Sequence, residues 1–380
     1  MLDVHAGDAR VAVSGRHISL MRPKEFSVET HEDAGPGDRA GQAGDGAAAS
    51  VSPMRTVVIG GTGHIGTYLV PRLVAAGHEV VVVSRGNRRP YLEHAAWSRV
   101  RTLQVDREAE DQAGTFAQTV AAQRPDAVVD LMCFTTSSAE QLVAALAPIN
   151  CYLLHCGTIW VHGAPVEVPV TEAVPRRPFG EYGTQKAAVE ELLLGEARRG
   201  RLRCTVLHPG HISGPGWPPV NPAGNGNRTV FERVARGEEL ALPNFGLETV
   251  HHVHADDVAQ AFEKALAHPG LACGEAFHVV SERALTLKGY AEAVYGWFGQ
   301  PPRLLFQPWD TWAAGWSQDD ARTTWEHIAR SPSMSIEKAK HLLAYQPRYS
   351  SLEAVFEAIA WLVANAQVDV GDRKLSFQRT

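Results

Sequence analysis

Ten residues, VVIGGTGHIG at 57–66, constrain this chain more than any other stretch. A short apolar run ends in a glycine-rich turn, and a helix-forming run follows. Gly60, Gly63 and Gly66 let the backbone turn tightly and approach a bound pyrophosphate closely. The helix beyond offers free N–H groups and the positive end of its dipole. The spacing predicts a dinucleotide site lined by Gly60, Thr62, Gly63, His64, Ile65 and Gly66. Pro71, inside the same helix, predicts a kink.

The alternation continues along the chain. Apolar runs at 56–60, 79–84, 100–105, 126–132, 151–157, 204–209 and 275–280 read as strands, several apolar on both faces, as in a buried parallel sheet. Helical stretches at 64–76, 110–123, 138–147, 182–198 and 256–267 separate them. The expected fold is α/β, a Rossmann-type doubly wound parallel sheet. Past residue 213 comes a loop-rich run, GPGWPPVNPAGNGN, and then helices at 286–299, 335–343 and 351–366. The expected division is a nucleotide-binding domain at 54–213 and a smaller, mostly helical substrate part at 214–372. Residues 250–281 return to the sheet, and a tail occupies 373–380. Residues 1–53, rich in Gly, Ala and Asp without apolar periodicity, read as a flexible leader lacking the apolar core of a signal peptide.

The net charge of -6 provides no basic face for a phosphate backbone, so nucleic acid is not an expected partner. No apolar run is long enough to span a bilayer. Five widely spaced cysteines read as the reduced core thiols of a cytoplasmic protein, and they show no metal-ligand spacing. His251, His252 and His254 invite a metal reading, but 251 faces away from the other two on a strand and no fourth ligand stands at a known spacing, so no metal is expected.

The second strand ends in Ser84, followed by Arg85, with Arg88 and Arg89 close by. An acidic residue there would grip a free ribose 2′-OH. Serine and arginine instead suit a 2′-phosphate, so NADP is favoured over NAD. Asp106, after the third strand, is either an acceptor for the adenine amino group or an ordinary turn residue. Tyr182 and Lys186, four apart, share one helix face. An ammonium beside a phenol favours the phenolate, and such a tyrosine can exchange a proton with a substrate alcohol or ketone.

Together, GGTGHIG, Thr158 ahead of VHG, and Tyr182 with Lys186 resemble the extended short-chain dehydrogenase/reductases, the NAD-dependent epimerase/dehydratase family. The segments HPGHISGPG (208–216), HADDVAQAF (254–262) and SIEKAKHLLAYQP (335–347) extend the likeness from about Met54 to Ala366. The resemblance implies a catalytic Thr158–Tyr182–Lys186 triad. Tyr182 and Lys186 would also touch the cofactor, Lys186 through the nicotinamide ribose. Pro209 and His211, in the loop after the sixth strand, would lie against the same cofactor. The resemblance also allows a homodimer through a four-helix contact that includes the Tyr182 helix.

The departures bear on the substrate. Ile159 and Trp160 stand where a sugar-nucleotide 4,6-dehydratase has its acidic pair, which disfavours elimination. His208 and His211 replace the arginine and asparagine of the usual loop, and His162 replaces the tyrosine of VYG. The family's NVxGT segment is missing. The glycine loop and VDRE (105–108) resemble an atypical branch that includes chloroplast stem-loop RNA-binding proteins. Cys133, Phe134, Thr158, Trp160, His211, Trp217 and His252 are the expected substrate-lining residues. The other C-terminal tryptophans, among them Trp297, Trp309, Trp312, Trp316 and Trp325, read as core of the smaller part. The expected activity is NAD(P)-dependent hydride transfer or epimerisation at a secondary alcohol or ketone of a sugar-like small molecule. The alternative is a non-catalytic nucleotide-sensing or RNA-binding protein on the same fold.

Overall fold

The apolar runs pair with one another. The structure, a computed structural model, describes residues 52–377. The leader read at 1–53 lies outside that range but for its last two residues, as do the last three residues of the tail. Thirteen strands run β1 (Arg55–Ile59), β2 (Glu79–Ser84), β3 (Arg101–Gln104), β4 (Ala127–Asp130), β5 (Tyr152–Cys156), β6 (Arg203–Pro209), β7 (His211–Ser213), β8 (Leu240–Pro243), β9 (Thr249–Val250), β10 (His252–His254), β11 (Ala276–Val279), β12 (Leu285–Thr286) and β13 (Leu304–Gln307). The helices are α1 (His64–Ala75), α2 (Arg107–Ala113), α3 (Phe116–Ala121), α4 (Thr136–Leu146), α5 (Glu181–Arg198), α6 (Thr229–Ala235), α7 (Ala255–Ala267), α8 (Pro269–Ala272), α9 (Leu287–Trp297), α10 (Trp309–Ala314), α11 (Gln318–Ile328), α12 (Glu337–Leu343) and α13 (Ser351–Ala364).

Seven strands form one sheet in the order β11-β6-β5-β4-β1-β2-β3, every pairing parallel. The order reverses between β1 and β4, and the crevice beyond their carboxyl ends is where such sheets bind ligands. Side chains alternate along each strand, so Val58, Val82, Val129 and Leu154 pack on one face with Leu69, Leu73 and Phe262. Val57, Val81, Val128 and Leu153 pack on the other with Phe116 and Leu193. A third core gathers Phe231, Tyr290, Tyr295, Trp297, Trp312, Ile359 and Leu362.

One local expectation changes. The helix expected at 110–123 is two helices, because Gly114 takes a left-handed backbone (φ 69°) and ends α2 before α3 begins. Pro71 lies inside α1 without ending it, and the helix runs on to Ala75.

One polar network crosses the second core. Arg107, in α2, donates to Asp130 at the end of β4 (2.6 Å) and to Ser138 of α4 (2.9 Å). Burial alone would raise the Asp130 carboxyl, but the guanidinium outweighs it and holds the group below the usual carboxylate range. The contribution of the pair is therefore fully present above the unfolded carboxyl pKa of about 3.9 and is lost as the pH falls through the lower folded value. Asp130→Ala removes the buried partner of the guanidinium and leaves it, among the described residues, only Asp111 as an ionic partner, at 3.2 Å. The expected cost is about 3–5 kcal/mol, read as a lowered urea midpoint at neutral pH.

Candidate active site

The turn after β1 is tight and glycine-bound. Gly63 donates to the Gly60 carbonyl (2.9 Å), which closes the turn, and Thr67 continues α1 by donating to Gly63. Gly63 caps α1 with no side-chain hydrogen bond, and the first turn of α1 carries no acidic residue. A Cβ at Gly66 would lie 2.1 Å from the Gly61 carbonyl oxygen, so only glycine lets the helix start sit this close to the turn. An uncapped helix start behind a tight glycine turn fits a pyrophosphate.

Beside it, on the switch-point side, stands the second half of the site. Thr158, at the end of β5, begins the 3₁₀ turn Ile159–His162, and its hydroxyl accepts from the Trp160 amide (3.3 Å). The Tyr182 phenol, at the start of α5, lies near that hydroxyl. One turn further on, Lys186 donates to the carbonyl oxygens of Cys133 (2.7 Å) and Cys156 (2.8 Å). These two bonds tie α5 to the ends of β4 and β5. The Phe134 ring lies 4.6 Å from the ammonium, which is 2% exposed. Burial lowers its pKa.

The expected effect of Lys186 on the phenol takes another form here. With two of its donors on carbonyls, the ammonium stands 6.0 Å from the Tyr182 ring centre. Tyr182 is 42% exposed as a residue. Burial, and then the nearby Cys156 thiol, raise the phenol above its ordinary value, while the Thr158 hydroxyl works in the opposite direction. The Tyr182 phenol is therefore protonated at ordinary pH.

Aromatic rings flank the tyrosine. Phe134 lies 6.4 Å away on one side, and Trp160 meets it edge-on at 5.5 Å on the other. The row continues from Trp160 to His327 (5.3 Å), then to His211 (5.0 Å) and His252 (5.6 Å). His211 therefore stands three rings from Tyr182, almost fully buried, accepting from the His251 amide (3.1 Å). His252 is wholly buried, with its Nε2 on the Val220 carbonyl (3.0 Å). His251 bonds to Ser281 and Met334, and His254 caps α7, so these three histidines serve different partners.

The remaining expected residues fall in several places. Trp217 stacks on His64 (5.5 Å) and covers the glycine turn rather than Tyr182. Pro209 is buried at the end of β6, and Cys133 is buried with its thiol pushed up to about 11, chiefly by burial. Ser84 ends β2, with Arg85 and Arg88 exposed beyond it. The Asp106 carboxylate caps α2, accepting from Glu108 (3.0 Å) and Ala109 (3.3 Å), the turn role that the sequence left open.

Sequence reasoning missed Arg330. Its guanidinium lies 3.8 Å from the ring centres of both Trp160 and Phe179, and it donates to the carbonyls of Phe179 (2.6 Å) and Glu326. It is 2% exposed, and burial lowers its pKa to about 10, with Glu326 in partial opposition. Arg330 therefore clamps the C-terminal part onto the loop that leads into α5. Its one sequence signal is its place just ahead of SIEKAKHLL.

Residues 56–279 match the model of the NAD dependent epimerase/dehydratase family. A 2′-dehydrokanamycin reductase of Streptomyces kanamyceticus is 28% identical over 326 residues, 86% of this chain and 88% of that protein. A chloroplast stem-loop binding protein of Arabidopsis thaliana is 24% identical over 320 residues, 81% of this chain and 79% of that protein. Among solved structures, the UDP-glucose 4-epimerase of Thermotoga maritima superposes with a TM-score of 0.64 at 21% identity. It covers 82% of this chain and 100% of its own, and shows a shared fold.

The Gly66 contact makes a direct prediction. Gly66→Ala must displace the turn at an overpacking cost of about 1–3 kcal/mol. Fluorescence titration with NADPH is expected to show a roughly 5- to 150-fold weaker Kd, at tenfold per 1.4 kcal/mol. Gly226→Ala, where a Cβ meets nothing within 4 Å, leaves the Kd unchanged.

Proposed function

The chain belongs to the NAD-dependent epimerase/dehydratase family, and from that premise we propose that it reduces a ketone, or oxidises the matching secondary alcohol, on the ring of a sugar-like molecule, with NADP preferred over NAD. The observation that carries this reading is the Tyr182 phenol, kept neutral and set near Thr158, on a helix that Lys186 ties to the carbonyls of Cys133 and Cys156. A neutral phenol is the acid a ketone reduction requires.

A bound nicotinamide supplies or takes the hydride. Tyr182 gives its proton to the carbonyl oxygen in reduction and takes it back in oxidation. The Thr158 hydroxyl orients that oxygen. Lys186, with two donors spent, keeps a third for a ribose hydroxyl and places positive charge near the phenolate left after proton transfer. Ile159 and Trp160 provide no acid or base for elimination. Arg85 and Arg88, exposed beside Ser84, suit a 2′-phosphate. The kanamycin-related relative, matched along most of both chains, points to a ketone on one ring of an aminoglycoside-like substrate.

Two measurements test this. With NADPH and 2′-dehydrokanamycin or a related ketosugar, net loss of nicotinamide absorbance is expected, and Tyr182→Phe lowers kcat/KM roughly 10²–10⁴-fold. Turnover of a sugar without net absorbance change would favour epimerisation, and wild-type biological activity in Tyr182→Phe would favour the non-catalytic reading. Because burial raises the phenol, the reduction is expected to hold its rate from neutral into mildly alkaline pH and to fall only as the pH rises through the phenol pKa. Separately, Arg85→Glu is expected to weaken NADPH roughly 10- to 100-fold, as loss of a charge-assisted bond of about 1.5–3 kcal/mol does, and to leave NADH nearly unchanged.

A further inference from the structure

Three histidines from distant segments meet behind the catalytic turn. His162 closes the 3₁₀ turn that Thr158 opens, His208 lies in β6, and His278 lies in the neighbouring β11. All three are buried. Their ring centres are 4.8 Å (162–278), 5.9 Å (208–278) and 6.1 Å (162–208) apart. One nitrogen of each lies within 4.8 Å of one nitrogen of the other two. A zinc ion holds imidazole nitrogens at about 2.0–2.1 Å, which at the tetrahedral angle sets the ring centres roughly 5 Å apart. The observed triangle is near that arrangement, with the 162–278 side closed to 4.8 Å and the other two sides roughly 1 Å longer than the zinc-bound spacing, so His162 and His278 part slightly to admit an ion.

The outer bonds also fit. His278 Nδ1 lies 3.1 Å from the Ser335 carbonyl, so its proton sits there and Nε2 is bare. That Nε2 faces His162 Nε2 at 2.8 Å. His208 Nε2 lies 3.0 Å from a Glu190 oxygen, which holds its proton and leaves Nδ1 bare. The Nδ1 atoms of His208 and His162 are buried without a partner. Carbonyls and carboxylates that accept the outward N–H are how proteins orient metal-binding imidazoles. Around the cluster, the nearly buried Glu172 and Glu190 carboxylates face one permanent cation, Arg176, which donates to Glu190 (2.6 Å). Among the permanent charges, two carboxylates face one guanidinium, an excess of negative charge that a cation at the histidines would balance.

We propose that His162, His208 and His278 form a structural site for a zinc-like divalent ion, with Glu190 and the Ser335 carbonyl orienting two of the rings. The ion displaces the proton shared between His162 and His278, which moves to His162 Nδ1, so no proton is released. It joins β6 and β11 to the turn of Thr158. Through Glu190, one turn past Lys186, it also braces the catalytic helix. This assignment is independent of the substrate and cofactor proposed above.

The test is metal binding by the whole chain. Chelator-stripped wild type, folded by circular dichroism, is titrated with Zn²⁺ and then with Co²⁺. The expected result is one equivalent per chain, a raised thermal midpoint with Zn²⁺, and visible ligand-field bands with Co²⁺. His208→Gln and His278→Gln each weaken binding at least roughly tenfold, the lower end of the effect of losing an outer-shell partner, while His251→Gln does not. Folded wild type that takes up less than one equivalent, or gives Co²⁺ bands identical to those of His278→Gln, overturns the assignment. The wild-type titration decides the matter even if the variants fail to fold.

Discussion

A single buried ammonium holds the two halves of the site in register. Lys186 reaches from α5 to the carbonyls of Cys133 and Cys156, beyond the ends of β4 and β5. β4 lies beside β1, whose glycine turn would hold the dinucleotide, and β5 lies beside β4. The ammonium thus fixes the distance from the cofactor turn to Tyr182 and Thr158. Burial makes the charge costly, and the two carbonyls and the Phe134 ring offset that cost. Short of that bracing, α5 would lose its defined angle to the sheet.

A second clamp acts from the opposite side. Arg330 is stacked between Trp160 and Phe179 and bonded to carbonyls in both the C-terminal part and the loop before α5. Between the two clamps lie the rings of Phe134, Tyr182 and Trp160, in contact with one another. Aromatic faces of this kind suit the C–H faces of a sugar ring. An apolar wall also strengthens the hydrogen bonds of Thr158 and Tyr182 by excluding water.

The sheet was legible because its signals are local. Continuous apolar runs, a glycine turn between strand and helix, and an i,i+4 tyrosine and lysine each occupy one short window. The break at Gly114 was missed because one glycine in a helical pattern reads as tolerated. The elements after Ser213 were mostly missed. Strands as short as β9 and β12 carry two residues each, and their pairing is set by packing rather than by sequence pattern. Arg330 and the three clustered histidines could not be read either, because their partners lie far away in the chain. His162 and His278 stand 116 residues apart and meet only when β11 joins the sheet beside β6. Spacing rules that locate metal ligands in sequence do not see such pairs.

The central claim is hydride transfer steered by Tyr182 in a cleft set by Lys186. The most direct measurement is isotopic. The protein is turned over with NADPH deuterated at the transferring face of nicotinamide C4, together with a ketosugar substrate, and the product is examined by mass spectrometry and NMR. The account predicts one deuterium per product, on the carbinol carbon. Product formed without deuterium at that carbon would contradict it.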